Sequence, residues 1–160
     1  MENNIKKLTQ YSLHHSNPPE NTRVSCRGLV VREGKVLLSY ESTKDVYMSP
    51  GGGLEEGETL GECCKRELRE ETGYIVEPLY QLLTVNEYCF ETLYISHYFV
   101  CNITGECDIT LTETEIAHGM EPRWVDIDEA IGIFSTYEEK REDHRSLYLR
   151  EYSVLNELIK

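Results

Sequence analysis

The sequence predicts a single domain in which β-strands are mixed with a few helices, an α/β or α+β fold. Its 160 residues suit one domain and are enough to bury a core. Several short apolar runs rich in β-branched residues are separated by turn signals, which predicts strands. Two longer segments with capping residues or helical periodicity predict helices. No repeat or linker divides the chain, so we expect one domain over residues 1–160.

The first third of the chain predicts a polar lead-in, a hairpin and a glycine-rich turn. Residues 1–21 are polar and end in SNPPEN, which predicts a loosely attached N-terminal lead-in. The apolar runs TRVSCRGLVV and VLLSYE flank Glu33-Gly34, which predicts a β-hairpin. The short strand VYMS then leads into Pro50-Gly51-Gly52-Gly53, a turn in which the backbone can approach a ligand closely.

The middle of the chain predicts a capped helix followed by two paired strands. A helix is expected over residues 58–72, where Thr59 and Glu62 have the spacing of a capping box. Gly73 follows the last turn, a position where helices commonly end. The runs YQLLTVNEYCFE and LYISHYFVCNIT predict neighbouring strands that turn around Glu91-Thr92.

The last third predicts one strand and two helices. PRWVDI reads as a short strand, and either Asp126 or Asp128 can start the helix DEAIGIF. A final helix is expected over residues 140–159. Its apolar stripe, expected to face the core, consists of Tyr148, Tyr152, Leu155 and Ile159.

Composition restricts the classes of partner. Lys and Arg total 16 and Asp and Glu total 29, a net charge of −13, which argues against binding DNA or RNA. A polyanionic substrate would need divalent cations or a local basic patch. No apolar run approaches the roughly 20 residues that span a bilayer, and no signal peptide is visible, so we expect a cytoplasmic protein with six free thiols.

Three glutamates are crowded onto one turn of the predicted helix. Glu67, Glu70 and Glu71 fall within about 100° of arc on one face, near the C-terminal end where the helix dipole disfavours negative charge. Their mutual repulsion is relieved by hard divalent cations, which prefer carboxylate oxygens. Arg66 lies four residues before Glu70 and can orient it. Taken alone, the cluster favours a solvated helix face, because glutamate-rich helix faces are common and usually solvated; the glycine-rich turn directly before the helix favours a site.

The stretch from Gly52 to Tyr74 resembles the Nudix box. The matching residues are Gly52, Glu58, Arg66-Glu67-Leu68, Glu70-Glu71 and Gly73. The one departure is Tyr74, where an aliphatic residue is usual. Weaker similarity extends over about residues 22–134.

This resemblance implies an α/β/α sandwich with a central mixed sheet. It also implies hydrolysis of a pyrophosphate bond in a nucleoside diphosphate linked to another group, with Mg²⁺ or Mn²⁺ as cofactor. Carried over to this chain, it makes Glu67, Glu70 and Glu71 metal ligands, together with the backbone carbonyl of Gly52. Arg66 would hold the glutamates by ion pairing. Glu58 would stabilise the junction of loop and helix.

Two further groups of residues complete the predicted site. The general base is either Glu67 or an acid of the loop TETEIAHGMEP, where Glu115 is favoured over Glu113 and Glu121. Arg23 and Arg27 lie four apart on a strand and face the same side, so they can contact substrate phosphates, although a solvated pair is the alternative. The tyrosines that could stack on a base are Tyr40, Tyr47, Tyr88 and Tyr94.

Other functions remain open from the sequence. A Nudix module can sense a nucleotide without turnover, but such modules usually lose box glutamates or gain a DNA-binding domain. A purely structural acidic domain is the other alternative. The expected partner is a small-molecule nucleoside diphosphate derivative, with no DNA and no membrane. A homodimer could form through the N-terminal segment or the C-terminal stripe.

Overall fold

The computed structural model describes residues 4–160. The strands are β1 (Lys6–His15), β2 (Asn21–Leu29), β3 (Val31–Arg32), β4 (Lys35–Glu41), β5 (Val46–Met48), β6 (Gly51–Gly53), β7 (Tyr74–Phe90), β8 (Thr92–Glu106) and β9 (Met120–Asp126). The helices are α1 (Leu60–Thr72), α2 (Glu113–Ala117), α3 (Ile127–Phe134) and α4 (Glu142–Leu158), with a short 3-10 helix at Tyr137–Glu139. Within residues 4–160, no helix is long and apolar enough to cross a bilayer.

The strands form two sheets, and the larger one is mixed. Its five strands lie in the order β1-β7-β8-β2-β6; β1 is parallel to β7 and β8 to β2, whereas the other neighbours are antiparallel. The second sheet contains β3, β4 and β5, and β9 pairs with β4. The prediction of an α/β fold with a central mixed sheet is confirmed.

Two apolar clusters fix the layers on either side of the strands. One lies beneath α1 and includes Cys26, Cys64 and Leu68. The other lies beneath α3 and α4 and includes Phe134 and Tyr148, whose rings meet edge to face at 5.1 Å. The helices therefore cover both sides of the strand layer.

The predicted capped helix is present as α1. Thr59 caps it: its hydroxyl accepts from the Glu62 backbone N–H at 3.1 Å, and the Glu62 carboxylate accepts from the Thr59 N–H at 3.0 Å. Gly73 ends it with φ of 75°, and its N–H donates to the Arg69 carbonyl. Glu58, predicted as helical, lies just before the cap, and its side chain reaches back to the loop.

The prediction of a loosely attached lead-in over residues 1–21 was wrong for the described part of that segment. Residues 6–15 form β1, an edge strand that pairs with β7, and residues 1–3 lie outside the described part of the chain. The polar composition is explained by the edge position, where most side chains face water. Its side-chain contacts with α4 are Lys6 to Glu157 at 2.7 Å, Gln10 to the Ser146 carbonyl at 2.7 Å and His14 to Glu142 at 2.7 Å.

Two other local predictions are corrected. The glycine-rich segment predicted as a turn is an edge strand, β6, because Gly51–Gly53 pair with β2. The predicted apolar stripe of the last helix holds at Tyr148 and Leu155, but Ile159 lies just past α4 and is exposed. The buried face of α4 instead carries Arg150 and Glu151, which the hydropathy pattern missed.

Candidate metal and phosphate site

Arg66 is the centre of the acidic cluster. Its Nε and Nη2 donate to the two oxygens of Glu58 at 2.7 and 3.0 Å, and Nη1 donates to Glu67 at 2.8 Å and Glu70 at 3.4 Å. Nη2 also donates to the Gly53 carbonyl at 3.0 Å. The hydrogen bonds from Arg66 lower the pKa of Glu58 to about 2. One guanidinium thus ties α1 to the loop before it.

Glu71 is the most deeply buried of the three box glutamates. Its Oε2 accepts from the Ser39 hydroxyl at 3.2 Å and from the Gly51 N–H at 3.1 Å. Burial raises its pKa to about 8, and nearby Arg27 only partly opposes the shift. A neutral carboxyl is therefore favoured near pH 7 unless a cation is bound beside it.

Glu67 lies against the backbone of Gly52. A Cβ at Gly52 would come within 2.6 Å of the Glu67 carboxylate, so only glycine fits here without displacing it. Burial raises the pKa of Glu67, although the hydrogen bond from Arg66 opposes the shift. Its carboxylate therefore packs directly against the Gly52 backbone and lies near the negative charges of Glu70 and Glu115.

The chemistry of this cluster fits Mg²⁺ or Mn²⁺. The donors that sequence reasoning named are all hard oxygens. Arg66 forms ion pairs with four acids, namely Glu55, Glu58, Glu67 and Glu70. Within residues 4–160, no three acidic, His or Cys side chains are already arranged to hold an ion. Glu67 and Glu70 turn toward Arg66, and Glu71 turns toward Ser39. Coordination would require these side chains to exchange their present partners.

Of the three loop acids, Glu115 has the position expected of a site residue. It is half-buried on α2, and its charge lies near enough to contribute to the raised pKa of both Glu67 and Glu71. One of its oxygens accepts the Thr112 N–H at 2.9 Å in a capping box. Glu113 is exposed, and Glu121 is held by Arg123 at 2.6 Å.

A cavity of about 160 Å³ is lined in part by Gly52 and Gly53, the same two residues that contact Glu67 and Arg66 of the acidic cluster. Arg23 and Arg27 both line it, as their spacing on β2 predicted. Its other lining residues are Val24, Ser25, Gly52, Gly53, Tyr94, Ser96 and Arg150. Every charged residue in this lining is an arginine, so the cavity is a basic spot in an acidic protein. Such a spot suits a phosphate.

Sequence reasoning missed several polar residues of this region. Ser25 lies between Arg23 and Arg27 on the same face of β2, and the alternation of strand side chains could have identified it. Ser96 is its neighbour on β8, with the two hydroxyl oxygens 3.2 Å apart. Arg150 gave no signal, because a charged residue on a helix is usually solvated.

The four candidate tyrosines lie in three different regions of the structure. Tyr94 lines the cavity. Tyr40 and Tyr47 pack together on the second sheet, where the Arg123 guanidinium lies 3.8 Å from the Tyr40 ring centroid. Tyr88 stacks on Tyr11 at 4.9 Å. Only Tyr94 is therefore placed to contact a ligand in the cavity.

Comparison with known proteins identifies the family. The model of the NUDIX domain matches residues 21–150. An "Oxidized purine nucleoside triphosphate hydrolase" of Danio rerio is 32% identical over 105 residues, 62% of this chain and 64% of that protein. An "Uncharacterized Nudix hydrolase YvcI" of Bacillus subtilis (strain 168) is 43% identical over 47 residues, 29% of this chain and 30% of that protein.

Solved structures share the fold of this chain. A solved "NUDIX hydrolase from Nitrosomonas europaea" superimposes with a TM-score of 0.64 at 24% identity, covering 83% of this chain and 89% of that one. The chain belongs to the Nudix family, as the box from Gly52 to Tyr74 predicted. The matched segments cover less than two thirds of the length of the curated relatives.

Proposed function

We propose that this protein hydrolyses a pyrophosphate bond in a nucleoside diphosphate linked to another group, using Mg²⁺ or Mn²⁺. The observation that supports this is that the acidic cluster and the arginine-lined cavity meet at β6. Gly52 lies against the acidic cluster through Glu67 and also lines the cavity that holds Arg23 and Arg27. The proposed metal ligands and the proposed phosphate-binding arginines would thus lie next to the same strand.

Each group has a distinct task in this proposal. Glu67, Glu70 and Glu71 would hold the metal together with the Gly52 carbonyl, and Arg66 keeps them in place. When bound, such ions neutralise phosphate charge and make water more acidic. Arg23 and Arg27 would bind and orient the substrate phosphates, since guanidinium donors match phosphate oxygens.

A carboxylate oxygen must also take a proton from the attacking water. We propose Glu115 for this role, supported by its half-buried position near Glu67 and Glu71. Glu67 is the alternative base, because burial moves its pKa toward neutrality. Replacing each by glutamine distinguishes them: the variant that lacks the true base loses the acidic limb of the pH profile of kcat.

The substrate class follows from the size and charge of the cavity. A space of about 160 Å³ takes one compact group rather than a polymer, and the net charge of −13 disfavours nucleic acid. The Danio rerio relative is named for oxidised purine nucleoside triphosphates. We therefore propose nucleoside triphosphates and their oxidised forms as the first class to test, before nucleotide sugars. A cytoplasmic location and a possible homodimer remain predictions.

The test is phosphate release from a panel of nucleoside diphosphate derivatives with Mg²⁺ and Mn²⁺. Wild type, Glu70→Gln and the remote surface control Glu129→Gln would be compared, with and without added phosphatase. Turnover by wild type and the control, lost in Glu70→Gln, supports the proposal. Saturable Mn²⁺ and nucleotide binding without turnover of any substrate would instead indicate a nucleotide sensor.

A further inference from the structure

We propose that Glu151 of α4 is a positioning residue that orients Arg27 and the β6 segment through Ser49. The inference rests on the proposed function, because it identifies what holds that site in place. Glu151 lies outside the Nudix box and outside residues 21–150, which match the family model. It is not itself a lining residue of the cavity, and it meets the lining through the hydrogen bond from Arg150.

Glu151 has the contacts of a fixed anchor. It is completely buried, and its two oxygens accept three hydrogen bonds. The donors are the Ser49 hydroxyl at 2.6 Å, the Tyr98 hydroxyl at 3.0 Å and Arg150 Nη2 at 3.2 Å. A carboxylate can accept all three, whereas an amide has only one accepting oxygen.

Ser49 carries this anchoring to the site. Its carbonyl accepts from Arg27 Nη1 at 2.6 Å, while its hydroxyl is held by Glu151. Two residues on, the Gly51 N–H donates to Glu71, and the next residue is Gly52. The segment from Ser49 to Gly51 is therefore held by α4 through Glu151. The same segment contacts Arg27 of the cavity and Glu71 of the acidic cluster.

A buried ion cluster is weak evidence for a purely stabilising role. Arg150 lies between Glu87 at 3.0 Å and Glu151 at 3.2 Å, and all three are at least nine-tenths buried. Burying three charges removes them from water, and apolar residues of similar size often stabilise a fold as well or better. The hydrogen bonds of this cluster continue from Glu151 to Ser49 and from Ser49 to Arg27, which is consistent with a role in orienting the site.

Glu87 provides a matched control. It pairs with the same Arg150 and is just as buried, but its other oxygen accepts from Ser146. Ser146 faces β1, where its carbonyl accepts from Gln10. Removing the charge of Glu87 therefore disturbs the same ion cluster without touching Ser49.

The experiment compares Glu151→Gln and Ser49→Ala with Glu87→Gln in the full chain. Mn²⁺ affinity is measured by titration without substrate, KM and kcat with the best substrate, and stability by urea unfolding. We expect the first two variants to weaken Mn²⁺ binding about 3- to 10-fold and to raise KM by a similar factor, the range expected for loss of one buried hydrogen bond. Glu87→Gln should keep both values within about twofold of wild type, even where it lowers stability equally.

Two results would overturn the proposal. One is unchanged Mn²⁺ affinity and KM in both Ser49→Ala and Glu151→Gln. The other is an equal loss of Mn²⁺ affinity in Glu87→Gln at equal loss of stability, which would show a general effect of disturbing the ion cluster. Absence of turnover in wild type would count against the hydrolase alone, because the Mn²⁺ titrations still decide whether Glu151 positions the site.

Discussion

Glu71→Gln should make the metal-free protein more stable at alkaline pH. The buried carboxyl of Glu71 has its pKa raised from 4.5 to about 8, so the folded protein holds its proton where the unfolded chain has lost it. Stability due to this group is fully present below pH 4.5 and is lost as pH rises to about 8. Glutamine is neutral throughout, and its amide oxygen can still accept from Ser39 and Gly51.

The size of the effect follows from the same shift. At about 1.4 kcal/mol for each pH unit between 4.5 and 8, the difference approaches 4 to 5 kcal/mol as an upper value. We expect about 2 to 4 kcal/mol, because burial terms of this kind relax in real proteins. The quantity to follow is the free energy of unfolding of wild type minus that of Glu71→Gln, since other titrating groups cancel in it.

The assay is urea unfolding in a chelator at pH 5.5, 6.5, 7.5 and 8.5. The free energy of unfolding of wild type minus that of Glu71→Gln should become steadily more negative as pH rises. Excess Mn²⁺ should make this difference positive, because it stabilises wild type only. Glu129→Gln, on the exposed face of α3, serves as the control and should follow wild type. Parallel pH dependences of wild type and Glu71→Gln would refute the reasoning.

Three further changes test the rest of the site. Arg66→Ala should lower the free energy of unfolding by about 2 to 4 kcal/mol, because Glu58 and Glu67 lose a shared cation; urea unfolding measures this, and a loss below 1 kcal/mol would contradict it. Gly52→Ala should abolish Mn²⁺ binding in titration, since the new methyl group would displace the Glu67 carboxylate; wild-type affinity would show that the close approach is unimportant. Glu115→Gln should lower kcat by about 10²- to 10⁴-fold with little change in Mn²⁺ affinity, and a wild-type kcat would exclude it as the base.

The parts of the fold that could be predicted depend on local interactions. The Thr59 cap, the Gly73 stop and the turn at Glu91 are each set by residues adjacent in sequence, and all three were placed correctly. The lead-in was misread because β1 is stabilised by parallel pairing with β7, some 77 residues away in its register of Lys6 with Leu83. No local pattern in a polar segment reports such pairing.

The candidate site shows the same division. The box residues were predicted from the family resemblance, and the pair Arg23 and Arg27 from its spacing on a strand. Arg150 and Glu151 could not be found, because they sit among apolar residues on a helix that reads as amphipathic, and their partners come from distant strands. Long-range hydrogen bonds of this kind become visible only in three dimensions.

The N-terminal strand β1 has a practical consequence for anyone who shortens this protein. Trimming to residues 21–150, the segment that matches the family model, would delete β1 and cut α4 before its last two turns. β7 would then become an edge strand with unpaired N–H and C=O groups along its length. Such an edge can pair with a strand of another molecule. Fragments with those boundaries should aggregate. An expression tag should therefore be attached to the full sequence, before residue 1 or after residue 160.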